Sequence, residues 1–138
     1  MTVCLDTNVV LQALAAGNPC APILQAWFEG RLTWAVSTGI WLEYEEVICA
    51  RSGRARWEKL GRLMDAVRSL RPETLREISP AFEFHTTPGD RDDGKFANCA
   101  IAAHADFVIT EDRHFRPLAG AGYKPQPITP AEFIRQYL

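Results

Sequence analysis

The sequence lacks the marks of several large functional classes. No stretch of its 138 residues is apolar and long enough to span a bilayer. Its N-terminus has neither the basic head nor the small-residue cleavage site of a secretory signal, so a cytoplasmic protein with no membrane association is expected. Cys4, Cys20, Cys49 and Cys99 form no CxxC pair, and two of them fall inside expected core elements; reduced packing thiols are expected ahead of disulfides or a zinc site. The histidines, His85, His104 and His114, have no metal-ligand spacing. No GxxxxGK[ST] or GxGxxG loop is present to cradle a phosphate, and no GxSxG elbow is present to carry a nucleophilic serine. Positive charge is not in excess either. A net charge of −2 argues against a generic nucleic-acid coat, although a nuclease that gathers acids in its site can be near neutral overall with a basic rim.

What is present is ordinary for a folded domain: 47% hydrophobic and 23% charged residues, in a length that suits one domain over residues 1–138. Thr2 to Leu5 is a short apolar run that stops on Asp6, and it reads as a buried strand delivering an acid to a sheet rim. Helix is expected from Val9 to Ala16, where Gly17-Asn18-Pro19 breaks it, and again from Ala21 to Glu29, ended by Gly30. Leu32 to Val36 reads as the second strand, Ile40 to Ala50 as helix, and Arg54 to Leu70 as a longer amphipathic helix with Trp57, Leu60, Met64 and Val67 on one face. Its other face carries Arg56, Lys59, Arg62 and Arg68, which read as a solvated face ahead of an RNA-contacting one. Thr74 to Ile78 is a third strand, Ser79 to Arg91 a loop, Asp93 to Ala105 a helix and Phe107 to Thr110 a fourth strand. A loop spans Pro117 to Pro127, and Thr129-Pro130-Ala131-Glu132 opens a last helix with a capping box. Strands alternating with helices imply an α/β fold with a mainly parallel sheet covered on both faces.

The acids carry the chemical signal. Asp6 ends the first strand, as a site acid or as a cap of the next helix, and Asn8 stands on the same turn, to hold the Asp6 carboxylate, to bind a metal-bound water or to act as a plain turn residue. If Ile40, Tyr44 and Val47 face inward, Glu43 lies on the flank of that stripe, where a carboxylate needs a partner, either a cation or a base such as Arg51. Glu45 should then be solvated, and Glu46 is a helper or a surface acid. Asp93 shares a helical face with Ala97, Ala100 and His104, standing at the first turn where the helix dipole favours it or where it simply caps the helix; Asp92 can exchange roles with it. Asp112 follows Thr110 near the rim, as a site acid or as a turn Asp. Carboxylates gathered this way cannot all ionise without cations, and hard oxygen donors call for Mg²⁺ or Mn²⁺. Such a site serves phosphoryl chemistry.

Four segments, in order, resemble the PIN-domain ribonucleases, especially the VapC-like toxins of bacterial and archaeal toxin–antitoxin modules. They are Leu5-Asp6-Thr7-Asn8, Ile40-Trp41-Leu42-Glu43-Tyr44-Glu45-Glu46-Val47-Ile48, Asp90-Arg91-Asp92-Asp93-Gly94-Lys95-Phe96 and Ala105-Asp106-Phe107-Val108-Ile109-Thr110-Glu111-Asp112. The resemblance implies a three-layer α/β/α sandwich and metal-dependent cleavage of RNA. It places the family's acids on Asp6, Glu43, Asp93 and Asp112, and its supporting polar positions on Asn8 and Thr110. Asp92 and Glu46 stand one or a few residues from the assigned acids as supporting candidates. It further implies a homodimer silenced by an antitoxin that inserts a segment into the acidic groove.

The sequence therefore reads as a Mg²⁺- or Mn²⁺-dependent endoribonuclease, the toxin of a type II toxin–antitoxin pair. Arg91, Lys95, Arg113 and Arg116 flank the acids as candidate phosphate contacts, or serve only to balance the acidic charge. A phosphoacceptor with Asp6 as its phosphorylated residue is disfavoured, because Thr7 and Asn8 stand where further acids are needed. A non-catalytic PIN-like scaffold that binds RNA or protein is the alternative reading.

Overall fold

The computed structural model describes residues 1–79, 94–120 and 122–138. Among them, β1 (Thr2–Leu5), β2 (Thr33–Ser37), β3 (Leu75–Ile78), β4 (Phe107–Ile109) and β5 (Gln126–Ile128) form one sheet in the order β3-β2-β1-β4-β5. Every neighbouring pair is parallel. Helices flank the sheet in a three-layer α/β/α arrangement, as a parallel sheet requires if both of its faces are to leave water. The helices are α1 (Thr7–Ala13), α2 (Ala21–Phe28), α3 (Thr38–Ser52), α4 (Arg54–Leu70), α5 (Gly94–Ala102) and α6 (Pro130–Tyr137).

The central strand β1 is buried from Val3 to Leu5, between β2 and β4. Successive strands step from β1 to β3 in one direction, and β4 and β5 then fill the other side. The order reverses between β1 and β4, and this reversal opens a crevice at the carboxyl ends of these two strands. Helix α4 buries Leu60, Met64 and Val67, with Trp57 packed beside them, and it has the expected bounds because a clean apolar stripe runs its whole length. The last helix begins as its sequence dictates: Thr129 Oγ1 accepts from the Glu132 backbone N–H at 3.3 Å, with Pro130 at the first helical position. All four cysteines are unbridged. No helix among the described residues is long and apolar enough to cross a membrane.

Several expectations need correction. The first helix starts at Thr7 rather than Val9, because Asp6 caps it, and it ends at Ala13. Thr74 belongs to a 3-10 turn (Pro72–Thr74), so β3 starts one residue later. In α3 the buried stripe is Ile40, Tyr44 and Ile48 rather than Val47, since a spacing of four keeps the same face; Glu45 is half-buried rather than solvated. Helix α5 ends at Ala102, so His104, exposed and with a φ of 50°, is not on its stripe. The stretch read as a loop from Pro117 to Pro127 contains the start of β5. A proline in a strand is tolerated there because β5 lies at the sheet edge, where one side of the backbone needs no ladder partner.

One contact ties the helical layer to the crevice. The fully buried Tyr44 hydroxyl donates to the Leu5 carbonyl, immediately before Asp6. Tyr44→Phe is expected to keep the fold and to lose about 1 kcal/mol of stability, the usual net worth of one such bond. Urea denaturation of the two proteins measures the difference; equal midpoints would show that the bond contributes nothing.

Candidate active site at the sheet crevice

Asp6 is 8% exposed, with an extended backbone that ends β1 and caps α1. Its two carboxylate oxygens have separate donors. Oδ1 accepts from the Thr7 backbone N–H at 2.7 Å, and Oδ2 accepts from the Thr110 hydroxyl at 2.6 Å. Thr110 lies just past β4 and is itself buried, so the two central strands meet through this side-chain bond. Thr110 Oγ1 also accepts from the Asp112 backbone N–H at 2.9 Å, which folds the following turn back toward the crevice.

Glu43 reaches the same region from α3. Its Oε2 accepts from the Thr7 hydroxyl, and its Oε1 is 3.0 Å from Lys95 Nζ on α5. The Lys95 and Glu43 side chains are only 28% and 19% exposed, so this ion pair is partly withdrawn from water. Asp112 caps the 3-10 turn Arg113–Leu118: its Oδ1 accepts from the His114 backbone N–H at 2.9 Å and lies 3.1 Å from the His114 ring. Arg113 and Arg116 are exposed on that turn.

Burial is the main reason the Asp6 carboxyl titrates above its ordinary value, and the negative charges of Asp112 and Glu43 push the same way; the bonds from Thr110 and Thr7 oppose the shift. Asp6 thus feels the charges of both Glu43 and Asp112. The three acids do not stand ready as a closed cage: among the described residues, no three His, Cys, Asp or Glu side chains are close enough together to hold a metal ion. Asp92, Asp93 and Arg91 lie outside the described residues.

The remaining candidates occupy different places. Asn8 is exposed, with its Oδ1 accepting from Arg51 at 3.1 Å. Arg51 therefore serves Asn8 and not Glu43. Glu46 is exposed on α3. Lys95 is committed to Glu43, which makes it part of the acidic site before it is a phosphate contact. Thr7 is the residue that sequence reasoning passed over: its backbone holds Asp6 and its hydroxyl holds Glu43. The only signal in the sequence was a small hydroxyl residue directly after the capping acid.

This crevice sits within a recognisable family pattern. The family model described as PIN domain matches residues 2–114. The chain belongs to the PIN-domain family. No curated protein and no solved structure matches it. PIN domains are generally nucleases, which generally use divalent metals. In this PIN domain the donors facing the crevice, Asp6, Glu43 and Asp112, are all hard carboxylate oxygens, the type that Mg²⁺ and Mn²⁺ prefer.

The raised pKa gives a signed expectation. Ionised Asp6 is disfavoured in the folded chain, so its penalty is fully present above the folded pKa and is relieved as the pH falls through that value toward the ordinary 3.8. Without metal, Asp6→Asn, which keeps a capping side chain, should melt a few degrees above the wild type at neutral pH. The gap should close on acidification through that window, as followed by thermal melts in a pH series. A gap independent of pH would remove the electrostatic explanation.

Proposed function

We propose that this PIN domain is a Mg²⁺- or Mn²⁺-dependent endoribonuclease and the toxin of a toxin–antitoxin pair. The observation that carries the reading is the placement of Asp6: a buried carboxylate at the strand-order reversal, with its charge disfavoured by burial and by two other acids. A carboxylate in that position gains from a cation more than from any other partner. Asp6, Glu43 and Asp112 are the described carboxylates that would supply oxygens to the cation, drawn closer together than they stand without it, with Asp93 as the fourth acid implied by the resemblance. When bound, a divalent ion supplies Lewis acidity toward phosphate oxygens and makes water at the site more acidic.

The chain's own groups then have distinct tasks. Thr110 and the Thr7 N–H fix both oxygens of Asp6, so its carboxylate keeps one orientation. Thr7 and Lys95 do the same for Glu43, and Lys95 neutralises it when no other cation is present. Arg113 and Arg116, exposed on the turn that Asp112 caps, would meet backbone phosphates of a strand entering the crevice. An antitoxin segment seated on the acidic rim and a second copy of the chain as dimer partner belong to the same reading. Leu42, 58% exposed and next to Glu43, offers such a segment an apolar anchor.

Cleavage of a mixed total-RNA and transfer-RNA substrate in Mn²⁺, Mg²⁺ and EDTA tests the reading. Wild-type protein should cut only with metal, and Asp6→Asn should fall below detection. Equal cleavage by the mutant would refute the site; no cleavage by either protein, with no Mn²⁺-induced rise in melting temperature, would leave the scaffold reading. Lys95→Met separates the two cations further. Its metal-free melting temperature should drop because Glu43 loses its counter-ion, whereas its Mn²⁺-induced rise should exceed that of the wild type. A smaller rise would mean that Lys95 prepares Glu43 for metal rather than standing in for it.

A further inference from the structure

A cavity of about 320 Å³ opens at the carboxyl ends of β2 and β3, on the same rim as Asp6. Strands in a sheet are spaced about 4.8 Å apart, so this cavity stands one to two strand spacings from the end of β1. Its volume lies in the range of small-molecule sites. Trp41 forms one wall. That side chain is half-buried, held from behind by Trp57 at 4.6 Å between ring centroids and by Tyr44 at 6.3 Å, so it presents a fixed aromatic surface. Arg68 and Glu77 also line the cavity, as a bonded pair.

The chemistry of these walls selects a ligand. Arg68 is already shared between Glu77 and Asp65, so the cavity has no net positive charge to attract a phosphate. What remains is an aromatic platform, guanidinium N–H donors beyond those spent on the two acids, and carboxylate lone pairs beyond those given to Arg68. A planar heterocycle with acceptors and donors on its edges fits this set. Guanine has both, with O6 and N7 to accept from Arg68 and ring and amino N–H groups to donate to Glu77. Unstacked bases of single-stranded RNA are recognised in this way, by an aromatic face together with edge hydrogen bonds.

We propose that the Trp41–Arg68–Glu77 cavity binds a guanine base of the RNA strand whose neighbouring phosphate lies at Asp6. The inference rests on the ribonuclease reading and adds its base preference. Ser37, buried at the floor and capping α3 through a 3.3 Å bond from the Ile40 N–H, ties the cavity to the helix that carries Glu43.

The test uses the full chain, with Trp41→Leu and Glu77→Gln as variants. Glu77 has a 60% exposed side chain, so its variant stays informative if loss of the Trp41 ring unfolds the protein. Binding of a fluorescently labelled, unstructured RNA containing guanines is followed by anisotropy in EDTA, and the cut sites are mapped in Mn²⁺. Each variant is expected to bind about tenfold more weakly, the scale of losing one base–aromatic stack or one edge contact. Wild-type cuts should fall beside guanines, and Glu77→Gln should relax that preference. Unchanged affinity and unchanged cut sites in both variants would overturn the base pocket while leaving the nuclease intact. Absence of any binding or cutting by the wild type would overturn the nuclease reading and this inference with it.

Discussion

The hydrogen bond from Thr110 to Asp6 is the contact around which the molecule is arranged. It joins the ends of β1 and β4, the two strands between which the strand order reverses, and it does so in a buried place where an unpaired carboxylate would be costly. Two donors offset part of that cost, and Asp112 and Glu43 add to it. The result is an acid held in one geometry and, among the described residues, paired with no Lys or Arg. A purely structural carboxylate at this depth would be expected beside an arginine or lysine; among the described residues Lys95 is bonded to Glu43.

Helix α3 converts that arrangement into a surface. Within four residues it provides Trp41 to the neighbouring cavity, Glu43 to the crevice and Tyr44 to the Leu5 carbonyl. These side chains leave the helix in different directions, and the Tyr44 bond anchors the helix to the central strand. Local order in the site therefore depends on packing between layers as much as on the strand that carries Asp6.

Much of this architecture was legible in the sequence, for identifiable reasons. Helix α4 could be read end to end because its apolar residues keep a helical period over its full length. Glu43 was expected on the flank of a stripe of Ile40, Tyr44 and Val47; Ile40 and Tyr44 are buried, and Ile48 stands in place of Val47. Other features resisted. The strand at Gln126–Ile128 is three residues long and contains Pro127, so neither alternation nor propensity marks it; its existence depends on an exposed edge of β4 that only the fold creates. Thr7 acquires its role by touching a helix 36 positions away, and Asn8 accepts from Arg51 of the same helix. Contacts of that range leave no local pattern.

The separation between Asp6 and Thr110 has a consequence for how the chain comes to life. The partners of that bond are 104 positions apart, so during synthesis the acid is made well before its hydroxyl donor exists. The parallel pairing of β1 with β4 carries the same delay, since non-local pairings form slowly and only after their loops have closed. A chain translated only as far as α1 therefore has the acid without the crevice, which exists only once β4 has docked.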